Sequence, residues 1–148
     1  MKNVRKAVKA KMKTYHGSCH CKAIKFKVKL DLSQGIGKCN CTFCYKTGIR
    51  LVFAKPEDFK LISGKSFLQD YPPPGKKHDK NMYFCRRCGV RCFTKCNFEM
   101  PPFGAGFYAI NINSLDDMKP AEIIAAPKRY GDGLHDNWGN PPKEIRHL

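Results

Sequence analysis

Seven of the nine cysteines fall into three short clusters, Cys19-His20-Cys21, Cys39-Asn40-Cys41-Thr42-Phe43-Cys44 and Cys85-Arg86-Arg87-Cys88. Gaps this small suit chelation better than bridging, and an odd total excludes a fully paired disulfide framework. Soft thiolates favour zinc over magnesium, calcium or manganese. Zinc takes four tetrahedral ligands: a closed set is structural, whereas three protein ligands and an exchangeable fourth is the usual catalytic arrangement. By ligand counting, Cys19, Cys21, Cys85 and Cys88 make one four-sulfur site that clamps two distant segments. Cys39, Cys41 and Cys44 are then left with a second ion and one open position, for water, a substrate thiol or a protein group. Cys92 and Cys96 are the rivals for that position, and either would close the site. Iron–sulfur ligation is the remote alternative, because three sulfurs would leave a cluster unusually exposed.

The histidines fit ligand roles less well. His20 lies between two proposed ligands, so it is expected to turn away from the metal, and His16 and His78 read as polar surface residues. Trp138 reads most simply as a packing anchor, with a place in a pocket wall as the alternative. Tyr83, Phe84, Phe93, Phe107 and Tyr108 sit in strand-like apolar runs and are expected in the core rather than on a base-stacking platform.

The elements that must position these cysteines are mostly strands. Ile24, Phe26, Val28 and Leu30 alternate with Lys25, Lys27 and Lys29, the pattern of a strand with one buried and one lysine-covered face. Residues 49–53, Phe59 to Ile62, Met82 to Phe84 and Phe107 to Ile112 are further strand candidates. Ser33-Gln34-Gly35-Ile36-Gly37 is turn material delivering the second cluster, and Gly89 permits the tight turn of a metal knuckle after Cys88. Tyr71-Pro72-Pro73-Pro74-Gly75 is a rigid connection, since consecutive prolines cannot donate ladder hydrogen bonds. No useful 3.6-residue period occurs, so helices should be few and short.

A chain of 148 residues is the size of one domain, and it is expected to divide into a basic N-terminal arm over 1–14 and a single zinc-binding domain over 15–148. The net charge of +16 is uneven: residues 1–50 hold thirteen Lys/Arg against one acid, 51–100 ten against five, and 101–148 five against six. Such a field attracts anions of any kind. Without a DNA-reading finger spacing or a recognition helix, nucleic acid is expected only as a non-specific electrostatic partner. The chain opens on no signal-peptide pattern and contains no apolar run of membrane-spanning length, so a reducing, cytoplasmic setting without membrane partners is expected.

Read in order, Gly17-Ser18-Cys19-His20-Cys21-Lys22-Ala23, residues 39–48 and Tyr83-Phe84-Cys85-Arg86-Arg87-Cys88-Gly89-Val90-Arg91 resemble the glutathione-dependent formaldehyde-activating enzyme family, whose domain is shared with centromere protein V. The resemblance runs from about residue 15 to Asp132-Gly133-Leu134-His135-Asp136-Asn137-Trp138. It implies a mainly β, Mss4-like domain of several small coiled antiparallel sheets with two zinc ions, structural at Cys19, Cys21, Cys85 and Cys88 and catalytic at Cys39, Cys41 and Cys44. It further implies a carbon–sulfur lyase or thiol-adduct synthase, joining formaldehyde to a small anionic thiol such as glutathione as S-(hydroxymethyl)glutathione. The alternative is a non-catalytic, zinc-stabilised nucleic-acid or protein-binding module. Lys22 stands where the family often has glycine, which implies a first knuckle that needs no left-handed backbone. The extra thiols Cys92 and Cys96 and the strong N-terminal charge also depart from the family pattern.

Overall fold

The computed structural model describes residues 11–72 and 79–148. The strands run β1 Met12–Ser18, β2 Lys25–Asp31, β3 Ile36–Cys39, β4 Leu51–Ala54, β5 Phe59–Ser63, β6 Leu68–Asp70, β7 Lys80–Asn81, β8 Tyr83–Cys85, β9 Phe93–Cys96, β10 Tyr108–Asn111 and β11 Lys128–Gly131. Among the described residues, two one-to-two-turn helices, α1 Thr42–Thr47 and α2 Pro120–Ala125, complete the regular structure along with short 3-10 turns. The fold is therefore mainly β with few and short helices, as the absence of a helical period implies. Among the described residues, no helix is long and apolar enough to cross a membrane.

Three sheets form. One has the order β1-β2-β5, a second β11-β3-β4-β10-β9-β7, and a third pairs β6 with β8. Pairing among these strands is antiparallel except at β11 and β3, where Lys128–Gly131 runs parallel to Ile36–Cys39. That one parallel pair sets the chain after residue 128 beside the second cysteine cluster. The alternation in β2 holds residue by residue: Phe26, Val28 and Leu30 are buried while Lys25, Lys27 and Lys29 are exposed.

The three- and six-stranded sheets meet through aromatic side chains. Phe26 contacts Phe93 edge-on at 5.5 Å, and Phe59 stacks on Tyr108 at 4.0 Å between ring centroids. These are the offset and edge-to-face geometries that ring quadrupoles favour, added to the burial of large apolar area. Ile24, Ile36, Val52 and Ile110 are fully buried in the same cluster, and a smaller one gathers Cys96, Phe107 and Ala109. The core placement of Phe93 and Phe107 matches expectation, with Tyr83 and Tyr108 half-buried at its edge.

The expected basic arm over 1–14 needs a correction at its end. Met12, Lys13 and Thr14 already pair with Asp31, Leu30 and Lys29 and belong to β1. The three residues are exposed yet ordered, because β2 supplies a ladder for them and Lys13 reaches Glu122 of α2 at 2.6 Å. Residues 1–10 lie outside the described part of the chain, as do His78 and the prolines at 73 and 74.

Candidate metal centres and the adjoining cavity

The first centre is built by a tight hairpin and a knuckle. After β1, the Lys22 N–H bonds the Cys19 carbonyl at 3.0 Å and the Cys19 N–H bonds the Ile24 carbonyl at 3.1 Å, which folds Cys19 and Cys21 onto one side. Opposite them, Gly89 takes a φ of 77° and donates its N–H to the Cys85 carbonyl at 2.7 Å, closing the turn that presents Cys85 and Cys88. The Sγ atoms of Cys19 and Cys21 are 3.6 Å apart, those of Cys21 and Cys85 3.7 Å, and all four lie within 4.8 Å of one another. Zinc–sulfur bonds of about 2.3 Å at tetrahedral angles place sulfurs about 3.8 Å apart, so the donor set fits that ion.

Lys22 overturns one expectation. Its φ is 63°, so the knuckle does take a left-handed backbone at a residue that is not glycine. For an L residue this backbone costs on the order of 1 kcal/mol. The lysine side chain is held there by Ser18 Oγ at 2.9 Å and Asp116 Oδ1 at 3.0 Å, so the knuckle keeps its shape and gains an anchor to the 115–117 segment.

Cys19 and Cys85 are buried, and burial pushes the Cys19 thiol up to about 11. For Cys88 burial acts in the same direction but is outweighed by backbone N–H groups of Cys21 and Val90 and by neighbouring thiols, which bring it down to about 6. Such N–H bonds are the ones a metal-bound thiolate uses.

The second centre lies at the end of β3. Cys39 is the last residue of that strand, Cys41 is the N-cap of α1, and Cys44 falls in the first turn of the helix. The Cys41 sulfur occupies the capping position ordinarily filled by a Ser or Asp oxygen, accepting the Cys44 N–H at 3.4 Å, while Cys39 Sγ accepts the Cys41 N–H at 3.3 Å. The three Sγ atoms lie within 4.8 Å of one another, and all three residues are half-buried. Hydrogen bonds from the thiols of Cys39 and Cys44 hold Cys41 far below the ordinary thiol range. Those contacts push Cys39 and Cys44 up.

Neither rival thiol joins this group. Cys92 is buried beside the first centre, where burial and the neighbouring Cys19 push it up to about 12. Cys96 is buried with Phe107 and Ala109 and is pushed up to about 11 by burial. All nine cysteines are free thiols. His20 is exposed, and the exposed His16 meets Asp117 at 2.9 Å, so both keep to the surface as expected.

Long-range contacts fix the loop that carries the second centre. Asn40 Nδ2 donates to Asp132 at 2.7 Å, Asn40 Oδ1 accepts the Leu134 N–H at 3.0 Å, and His135 Nδ1 meets Asp132 at 2.8 Å. Asn40 first and His135 second hold the Asp132 carboxyl below the usual carboxylate range. Gly133 is dictated by space: a Cβ there would stand 2.6 Å from Cys39 Sγ and 2.4 Å from the Trp138 ring. Trp138 is 58% exposed, so it is not a buried anchor; its ring lies across the backbone of Gly131 and Gly133. From the other side, the Arg91 guanidinium sits 4.5 Å over the Phe43 ring, with Nη2 buried and unpartnered among the described residues. Burial lowers its pKa, and the neighbouring Asp70 and Cys44 oppose that shift.

One cavity borders the centre, and a second shares Tyr45 and His147 with it. The first, of about 140 Å³, is lined by Lys38, Cys39, Cys44, Tyr45 and His147 among others. The second, of about 700 Å³, is bounded by Asn40, Tyr45, Asp132, His135, Lys143, Glu144 and His147 with their neighbours. Nothing in the spacing of Tyr45, Arg91, Lys143 or His147 marks them as site residues. The His-bearing run at 132–138 was the one usable signal.

Fold and clusters together define a small β domain with two cysteine groups that could each hold a metal ion, one partly buried and one beside a cavity. A family model described as glutathione-dependent formaldehyde-activating enzyme matches residues 14–128, and the chain belongs to that family. A Halomonas elongata protein provisionally named as such an enzyme is 29% identical over 83 residues, which is 49% of this chain and 50% of that protein. The chain thus spans about half the length of that curated relative. A crystal structure of a Rhodobacter sphaeroides protein shares the fold, with a TM-score of 0.62 at 24% identity, over 76% of this chain and 98% of that one.

Proposed function

We propose that this chain is a zinc-dependent carbon–sulfur lyase, working in either direction as a thiol-adduct synthase, and that it acts on glutathione and formaldehyde or on a closely related thiol and aldehyde. The carrying observation is the three-sulfur group of Cys39, Cys41 and Cys44, which borders a cavity at two of its members while Cys92 and Cys96 are committed elsewhere. Cys19, Cys21, Cys85 and Cys88 hold a structural zinc in this reading, and the three-cysteine group a catalytic one. Zinc there supplies a Lewis-acid charge that favours the thiolate form of a substrate thiol and polarises a carbonyl.

The chain's own residues do the rest. Cys39, Cys41 and Cys44 fix the position at which a thiol and an aldehyde meet, and holding two reactants in register removes much of the entropic barrier. Arg91 sets a positive charge beside Cys44, which offsets the surplus negative charge of three thiolates on a divalent ion. In the forward direction the substrate sulfur bonds to the aldehyde carbon, the carbonyl π pair moves to oxygen, and the proton lost by the thiol ends on that oxygen. Cleavage is the reverse. No oxidant or reductant is needed.

A reducing cytoplasmic setting suits nine free thiols, and the surplus of lysine gives nucleic acid only non-specific attraction. The test is exchange NMR on the zinc-loaded chain with glutathione and formaldehyde. Interconversion with S-(hydroxymethyl)glutathione should exceed the spontaneous rate, and Cys41→Ala should return it to that rate while keeping one zinc and the native melt. Turnover unchanged in Cys41→Ala would refute the reading.

A further inference from the structure

We propose that residues 132–148 build a binding pocket for a low-molecular-weight thiol bearing a carboxylate, with Lys143 as the carboxylate-binding residue; this rests on the function proposed above. The family match ends at residue 128, yet Asp132, His135, Lys143, Glu144 and His147 all line the larger cavity. Its volume of about 700 Å³ is suited to a molecule of tripeptide size.

The geometry gives the cavity a direction. Tyr45 and His147 line both cavities, with ring centroids 5.6 Å apart, so they stand between the large chamber and the small one that touches Cys39 and Cys44. A thiol whose body occupies the large chamber can present its sulfur past this pair to the cysteines.

The charges select the ligand. Both carboxylates of the lining are engaged: Asp132 by Asn40 and His135, and Glu144 by the Arg146 Nε at 2.9 Å. Lys143 makes no salt bridge among the described residues, and neither does Lys38 in the smaller chamber. Lys143 and Lys38 are thus cations at the two chambers that have no carboxylate partner among the described residues, and such cations favour a carboxylate over a cationic or neutral thiol.

Calorimetric titration of the zinc-loaded full chain with S-methylglutathione tests the pocket apart from the chemistry, because the blocked sulfur cannot react. Binding is expected, and Lys143→Met should weaken it about tenfold, the loss typical of one charge-assisted hydrogen bond. Lys60→Met, an equal charge change at an exposed position of β5, should leave it unaltered. The dimethyl ester should bind about as weakly to the unaltered chain as the acid does to Lys143→Met, and should ignore that substitution. Absence of binding, or equal affinity in Lys143→Met and the unaltered chain, overturns the pocket. Turnover that persists while Lys143→Met changes neither affinity nor KM removes the pocket and spares the reaction. Lysine-dependent binding without turnover removes the reaction and spares the pocket.

Discussion

The two cysteine centres are made of the same chemistry and embedded differently. The first joins a β1–β2 hairpin to the knuckle after β8, with two of its four sulfurs buried. The second is local in sequence, spans Cys39 to Cys44, has no buried member and borders a cavity. Closure over a long chain separation makes a centre part of the fold. Locality at the end of a strand leaves a centre free to do something else, because the rest of the structure does not depend on it.

The largest effect expected from this difference is on stability. Cys85→Ser removes a buried ligand from the centre that ties residues 19–21 to 85–88, and structural zinc in small domains contributes on the order of 10 kcal/mol of apparent folding energy. That variant should be unfolded or molten at 25 °C by near-UV circular dichroism, while Cys44→Ser melts within a few degrees of the unaltered chain. Two equally damaging substitutions would erase the distinction. Chelator titration should release metal in two stages, the second centre first, with the cooperative unfolding signal confined to the later stage.

A middle-sized effect probes how the second centre is walled. Gly133→Ala places a methyl against Cys39 Sγ and the Trp138 ring, where less than 3 Å is available. Overpacking of this kind costs about 1–3 kcal/mol. Since Trp138 is exposed and can swing outward, the shift in melting temperature should be small and the change in Trp138 fluorescence and in turnover large. The same substitution at Gly48, where a Cβ meets nothing, carries only the backbone cost of its φ of 61° and should leave the fluorescence unchanged.

How much of this was legible in the sequence follows the same division between local and distant. The alternation from Ile24 to Leu30, the knuckle glycine at 89 and the three clusters are short-range patterns, and each folds as its spacing dictates. Local reasoning failed at Lys22, where contacts to Ser18 and Asp116 hold a lysine in a glycine's conformation. It also missed β1 and placed its first residues, Met12 to Thr14, in a basic arm, because the ladder that orders them belongs to β2. The region after residue 114 consists of turn residues and short apolar runs. Its role comes from the parallel pairing of β11 with β3 and from Asn40 bonding Asp132, across 92 positions of sequence. A polar loop carries no periodicity from which such a contact can be read.

The smallest effect separates the centres from the scaffold between them. Glu122 on α2 accepts from Lys13 at 2.6 Å and from the buried Tyr15 hydroxyl at 2.8 Å, pinning β1, whose far end carries Cys19, without touching either centre. Burial alone would raise its pKa, but Lys13, the Lys119 N–H and Tyr15 together depress it from 4.5 to about 2. A folded-state pKa below the unfolded one means stability that is fully present above about pH 4.5 and lost as pH falls towards 2. Glu122→Gln should therefore lower the melting temperature by a few degrees at pH 7 and by less at pH 3, flattening the acid limb of the stability profile. Thiolate ligands protonate in the same range, so the comparison is made as the difference between Glu122→Gln and the unaltered chain at matched zinc. Equal destabilisation at pH 7 and pH 3 would show that Glu122 acts through packing, not charge. Turnover in Glu122→Gln should stay within twofold of the unaltered chain, because the pin it removes lies on the fold side of the comparison.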